Sequence, residues 1–101
     1  LSKRKTKTSY IQNKGYKAHY YSNNTLKEEG FYENSLKEGF WVYYYKNGEV
    51  KKEGVYYMGK KNEIWIEYNI RGEISRESTW YDGILQNEVC FDKNNIKIRC
   101  K

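Results

Sequence analysis

The sequence predicts an all-β protein, an elongated, twisted antiparallel meander of β-hairpin repeats with no substantial helix. Three observations predict it. A motif recurs at a spacing of 24 residues, turn-forming residues recur about every 12, and the intervening segments of about eight residues are rich in Tyr, Trp, Val and Ile. A fixed period means one supersecondary unit stacked several times, each copy burying what its neighbour exposes.

The motif is clearest where Gly39-Phe40-Trp41-Val42-Tyr43-Tyr44-Tyr45-Lys46-Asn47-Gly48-Glu49-Val50 returns as Glu63-Ile64-Trp65-Ile66-Glu67-Tyr68-Asn69-Ile70-Arg71-Gly72-Glu73-Ile74. An earlier copy begins Gly15-Tyr16-Lys17-Ala18-His19-Tyr20, with Leu26 in the place of Val50 and Glu29 in that of Glu53. The expected organisation is a basic segment 1–14, flexible or forming a first edge strand, and a repeat domain 15–101. Its copies lie near 15–38, 39–62 and 63–86, with a degenerate cap at 87–101.

Turns are expected at Ser22-Asn23-Asn24-Thr25, Glu33-Asn34-Ser35, Lys46-Asn47-Gly48-Glu49, Met58-Gly59-Lys60, Arg71-Gly72, Tyr81-Asp82-Gly83 and Lys93-Asn94-Asn95. Asn and Gly tolerate the positive φ of tight hairpins, so each 24-residue unit reads as two strands. A two-residue loop at Asn47-Gly48 places Trp41 opposite Gly54. The same rule at Arg71-Gly72 places Trp65 opposite Ser78, and at Asn23-Asn24 it places Lys17 opposite Gly30. A bulky ring facing a small residue predicts a ring lying across the partner strand.

Strand alternation then divides the side chains between two faces. Phe40, Val42 and Tyr44 align with Ile64, Ile66 and Tyr68 and with Tyr16, Ala18 and Tyr20, an apolar set expected to form the core. The opposite set, Trp41, Tyr43, Tyr45, Trp65, Glu67, Asn69, Lys17, His19 and Tyr21, is more polar and expected to be partly exposed. Val50, Tyr56, Ile74 and Trp80 fall on the Trp side in this register, so either a bulge intervenes or both faces are half covered.

Composition limits what such a sheet can bury. The 101 residues include no Pro and are 38% hydrophobic, so the 12 Tyr, 3 Trp and 3 Phe must supply a thin, aromatic core. The net charge of +6 belongs to the N-terminal end. Residues 1–27 hold seven bases and no acid, whereas from Glu28 onward 12 bases face 13 acids. Phosphate neutralisation therefore finds little purchase on the repeat body, and nucleic acid is not an expected partner. The longest apolar stretch, Phe40–Tyr45, is too short for a transmembrane segment or a signal-peptide core. The chain begins at Leu1, which reads as the result of trimming, by a signal peptidase or by design.

The pattern Gly-x-Trp-x-x-Tyr-Tyr-x-x-Gly, followed by Val/Ile-x-x-Glu and Tyr-Tyr/Asp-Gly, resembles the bacterial variant of the MORN (membrane occupation and recognition nexus) repeat family. The resemblance runs from about Gly15 to Asp92 and is strongest over Gly39–Gly83, through Trp41, Tyr44, Gly48, Glu53, Tyr56 and Gly59. The first copy departs from it with Lys17 for Trp and Asn24 for Gly, and the last lacks both Trp and Tyr. It implies an elongated hairpin meander and a bacterial exported or envelope-associated protein, some members being described as antitoxin-like. It carries no catalytic residues and sets expectations for fold more than for function.

His19 is the single histidine and has no nucleophile placed beside it by any motif, and two cysteines with one histidine make no zinc spacing. No catalytic, metal or cofactor site is expected, and the chain reads as non-enzymatic. Glu29, Glu53 and Glu77 recur at 24 residues, placed to hydrogen-bond Tyr hydroxyls or to pair with Lys51, Lys52 and Arg76, with paired-carboxylate hydrolysis the less favoured use. Cys90 and Cys100 lie opposite one another if the hairpin closes at Asn94-Asn95-Ile96. Two readings stand, a cross-strand disulfide in an oxidising compartment and a pair of reduced thiols in the cytoplasm.

The leading functional expectation is a scaffold that binds a protein partner through Trp41, Tyr43, Tyr45, Trp65, Lys52 and Arg76, residue types that dominate protein hot spots. The same rings also read as a core stripe. One alternative is a module for anionic lipid or surface glycan, with Lys3, Arg4, Lys5 and Lys7 on the anionic surface. Another is an antitoxin or immunity protein that neutralises a toxin. Self-association through open sheet edges is a further expectation.

Overall fold

The computed structural model describes residues 14–101, and the basic residues before Lys14 lie outside it. Eight strands follow one another: β1 (Lys14–Tyr20), β2 (Leu26–Glu33), β3 (Leu36–Tyr44), β4 (Val50–Tyr57), β5 (Lys60–Tyr68), β6 (Ile74–Tyr81), β7 (Ile84–Phe91) and β8 (Lys97–Ile98). Each is antiparallel to the next in a single sheet of order β1 to β8, so the fold is an all-β meander. Strands of eight or nine residues are the outcome expected of Tyr, Trp, Val and Ile segments cut by Asn and Gly turns. The described residues fill a slab of 46 × 33 × 20 Å.

Two kinds of turn alternate along the two ends of the sheet. At one end, two-residue turns join Glu33 to Leu36, Tyr57 to Lys60 and Tyr81 to Ile84, with both central residues at positive φ. At the other end the loops hold three residues, not two. The Tyr45 amide donates to Glu49 O at 2.8 Å and the Gly48 amide to Tyr45 O at 2.9 Å. Asn69 with Glu73 and Tyr21 with Thr25 close their hairpins in the same way.

Each three-residue loop shifts the pairing by one, and a β-bulge then restores the register. Tyr44 pairs with Val50 but Tyr43 with Lys52, leaving Lys51 as the extra residue. Tyr68 with Ile74 and Glu67 with Arg76 repeat this. Beyond the bulges, Trp41 faces Gly54, Trp65 faces Ser78 and Lys17 faces Gly30, the register expected from the sequence. The bulges also return Val50 and Ile74 to the face of Tyr44 and Tyr68, while Tyr56 and Trp80 stay with the tryptophans.

The core sits on the Trp side. Trp41 and Trp65 are each 1% exposed, and the only other buried hydrophobic side chain described is Val42. The expected division of faces is thereby corrected, since Phe40 is 45% and Ile64 60% exposed. The reason is the path of each indole. Trp41 lies over Gly30 of β2 and donates from Nε1 to Phe31 O at 2.6 Å, and Trp65 lies over Gly54 of β4 and donates to Val55 O at 3.0 Å. Each ring therefore reaches back across the preceding strand instead of forward onto the residue opposite in its own hairpin. A Cβ at Gly30 or Gly54 would fall inside the indole above it. In the next copy Glu88 pairs with Ser78 as Trp41 pairs with Gly30. Position 88 carries no ring, so the small side chain of Ser78 is accommodated there, and its Oγ accepts from Trp80 Nε1 at 2.8 Å.

The C-terminal end is held covalently. Cys90 and Cys100 form a disulfide with a Cα separation of 5.2 Å. The last loop is Lys93-Asn94-Asn95, closed by Asp92 and Ile96, so Cys90 faces Ile98 and not Cys100. The bond is made by the chain just after β8.

Candidate functional site

The six residues singled out for partner binding fall on the Trp side or at its loop end, where the structure uses most of their surface. Trp41, Tyr43, Tyr56 and Trp65 form one cluster, with ring centroids 6.4 Å apart for Trp41–Tyr43 and Trp41–Tyr56, 6.3 Å for Tyr43–Trp65 and 5.0 Å for Tyr56–Trp65. The Tyr43 and Tyr56 hydroxyls lie 2.7 Å apart. Tyr45 sits at the loop end and donates its hydroxyl to Tyr68 O at 2.7 Å, the contact that Tyr21 makes with Tyr44 O one copy earlier.

Cations cover this cluster. Lys37 Nζ stands 4.7 Å from the Trp41 centroid and 5.0 Å from that of Tyr43, donating to Tyr43 Oη at 2.8 Å. Lys61 lies between Trp65 and Trp80 at 4.8 and 4.5 Å, and Lys52 stands 4.8 Å over Tyr43. Their aliphatic stems shield the rings while the ammonium groups meet the π faces. Burial, with the charge of Lys52 adding to it, holds Lys61 below the usual lysine range.

Ion pairs flank the rings. Glu28 is 2.6 Å from His19 Nδ1 and 3.4 Å from Lys37. Burial pushes the Glu28 carboxyl up, but the His19 hydrogen bond and the Lys37 charge outweigh it and hold the group below the usual carboxylate range. Arg76 bridges Glu67 at 2.6 Å and Glu88 at 2.7 Å. The Trp side is thus a packed aromatic core under a charged roof.

The repeated carboxylates lie on the other face, where tyrosine hydroxyls engage two of the three. Tyr16 and Tyr44 both donate to Glu29, and Tyr68 donates to Glu53 at 2.5 Å. Burial first, and the Glu53 hydrogen bond second, push the Tyr68 hydroxyl up to about 12. Burial and Glu29 likewise raise Tyr16 and Tyr44. Glu77 has no such tyrosine, because Phe91 follows on β7, and it is exposed. Arg76 serves Glu67 and Glu88, not this series.

On this same face, at the end with two-residue turns, a band of apolar side chains remains open. The pairings Tyr16–Phe31, Phe40–Val55 and Ile64–Thr79 run as one row across the sheet, and Glu33–Leu36, Tyr57–Lys60 and Tyr81–Ile84 form the row beside it. Exposure reaches 36% at Phe31, 44% at Leu36, 59% at Tyr57, 69% at Tyr81 and 64% at Ile84. Between neighbouring turns, Glu33, Asn34, Leu36, Glu38, Tyr57 and Met58 line a hollow of about 220 Å³. Sequence reasoning missed this band as a site because its apolar alternation read as core. A signal was present in the apolar residues flanking each two-residue turn.

The remaining expectations are placed as follows. Lys3, Arg4, Lys5 and Lys7, expected on an anionic surface, lie outside the described residues. His19 is exposed and paired with Glu28. Among the described residues one group of potential metal ligands converges, Glu88 with Cys90 and Cys100. There both sulfurs are joined to each other and Glu88 is paired with Arg76. No helix among the described residues is long and apolar enough to cross a membrane. No family model, curated protein or solved structure matches the chain.

Proposed function

We propose that the chain is a non-enzymatic interaction module, a MORN-like repeat scaffold that presents the Phe31–Phe40–Ile64 face of its sheet to a protein partner. The observation that carries this is the set of exposed apolar side chains, Phe31, Leu36, Phe40, Tyr57, Ile64, Tyr81 and Ile84, gathered on the face opposite the buried tryptophans. Exposed apolar side chains gathered on one face and rimmed by polar residues are a feature of interaction surfaces. The partner-binding role expected for Trp41 and Trp65 passes to this band, since those rings are 1% exposed. An exported or envelope-associated setting suits the Cys90–Cys100 bond. The repeated carboxylates serve the sheet through tyrosine hydroxyls, which favours scaffold over hydrolase.

The test places a photo-crosslinking residue at Ile64 and, separately, at Lys51 on the bulge, in cells that make the protein. The expected result is one protein joined through position 64, absent from position 51, and binding the purified chain with about tenfold lower affinity after Phe40→Ser with Ile64→Ser, a loss in keeping with two hot-spot side chains. Equal crosslinking from both positions, or unchanged affinity of the double variant, would reject the band as the site.

A further inference from the structure

We propose that the partner segment received by the apolar band is basic, with a Lys or Arg side chain seated in the hollow between the turns at Asn34-Ser35 and Met58-Gly59. This rests on the proposed protein-binding function of the band and adds the chemistry of what it binds.

The charge of the band is opposite to that of the chain. The register places Glu29, Glu33, Glu38, Glu53 and Glu77 on the band's face of β1 to β6, against two bases, Lys60 and Lys14, the latter opposite Glu33. Lys60 is in turn 3.8 Å from Asp82. Lys37, Lys52, Lys61 and Arg76 are all on the Trp face, held over rings or between carboxylates. A net charge of +6 for the whole chain thus conceals an acidic binding face.

The hollow has the two features a long cation needs. Leu36, Tyr57 and Met58 offer apolar walls for a methylene stem, and Glu38 places a carboxylate at the same hollow. Glu38 Oε1 accepts the Met58 amide at 2.7 Å, which fixes the carboxylate at the rim. Lys and Arg bury their stems on apolar surface and keep their heads with a charged acceptor, so this wall and rim suit them. A second copy of the chain would bring the same acidic face against this one, and an anionic lipid surface or a nucleic acid would meet like charge. Charge complementarity selects a basic, apolar protein segment.

The experiment titrates the protein with a 14-residue amphipathic peptide of Lys and Leu, and with its Glu and Leu counterpart. Binding is followed by amide NMR shifts and calorimetry. The Lys peptide is expected to bind one to one and to shift Phe40, Ile64 and Tyr57, and to weaken as salt rises from roughly 0.01 to roughly 0.15 M, where the screening length falls from about 30 to about 8 Å. Glu38→Gln, which keeps an acceptor for the Met58 amide, and Glu77→Gln are each expected to weaken it about three- to fivefold, the scale of a partly exposed ion pair. The Glu peptide is expected not to bind.

Equal binding of both peptides at the band, or affinity unmoved by salt and by both Gln variants, would overturn the basic-partner inference and leave the band as a docking face. Lys-peptide binding that Phe40→Ser with Ile64→Ser leaves intact would overturn the band itself. Tighter binding to anionic vesicles than to the Lys peptide would overturn the choice of a protein segment.

Discussion

The two faces of this sheet divide the work between them. The Trp face buries two indoles at 1% exposure each and covers them with lysines, while the opposite face leaves Ile64 at 60% and Tyr81 at 69% exposure. Both faces are rich in large apolar side chains, so hydrophobicity alone does not separate them. What separates them is clearance. Gly30 and Gly54 let each ring lie flat on the preceding strand, and the opposite face has no such seat for Phe40 or Ile64.

The largest way to break this contrast is to remove a ring. Trp65→Ala is expected to cost about 3–5 kcal/mol in urea unfolding, the range for deleting a buried aromatic, and Trp41→Ala with Trp65→Ala to leave no cooperative transition. Phe40→Ser with Ile64→Ser, matched in number but on the other face, is expected to move the midpoint by about 1 kcal/mol or less. A similar loss from both pairs would mean that the sheet depends equally on its two faces.

Reducing the disulfide comes next. Cys90–Cys100 closes a loop with a sequence separation of 10, and its loss is expected to cost about 2–3 kcal/mol of stability. Hydrogen exchange should locate that loss at β7 and β8 while the Trp41–Trp65 core stays protected. Uniform loss of protection would show the sheet to be one cooperative unit with no weaker end.

A smaller effect sharpens the role of the carboxylates. With Tyr68 pushed up to about 12 in the folded chain from 10.0, the fold holds its proton more tightly than the unfolded chain does. That contribution is full below pH 10 and is lost as the pH rises through about 12. Tyr68→Phe is expected to cost about 1 kcal/mol at neutral pH, the scale of one hydrogen bond, and to reduce the fall of the urea midpoint across this alkaline range. An unchanged alkaline slope would mean that the Tyr68 hydroxyl does not contribute to the alkaline loss of stability.

Much of the fold was legible in the sequence, and the site was not. The pairings of Trp41 with Gly54 and Trp65 with Ser78 follow from turn position and strand period, both of which are local. Loop length is hidden from such a register because the three-residue loop and the bulge at Lys51 cancel in the strand body. Which face is core is a different kind of question. Alternation shows which residues share a face but not what covers them. The Trp face reads as more polar because Glu67, Asn69, Lys17 and His19 share it with the rings, whereas in three dimensions Lys37, Lys52 and Lys61 cover those rings. The opposite face read as core because Phe40, Val42 and Tyr44 are all apolar, yet only Val42 is buried. The glycine beneath each ring lies 11 residues before it, in the preceding hairpin, a relation that no single-hairpin register contains.

Hydroxyl-radical footprinting with residue-level mass spectrometry tests the division of the faces most directly, because it reads both in one sample of the folded protein. The expected result is strong labelling of Phe40, Tyr57, Ile64 and Tyr81 with Trp41 and Trp65 protected until the sheet unfolds. Labelled Trp41 and Trp65 beside protected Phe40 and Ile64 would contradict it.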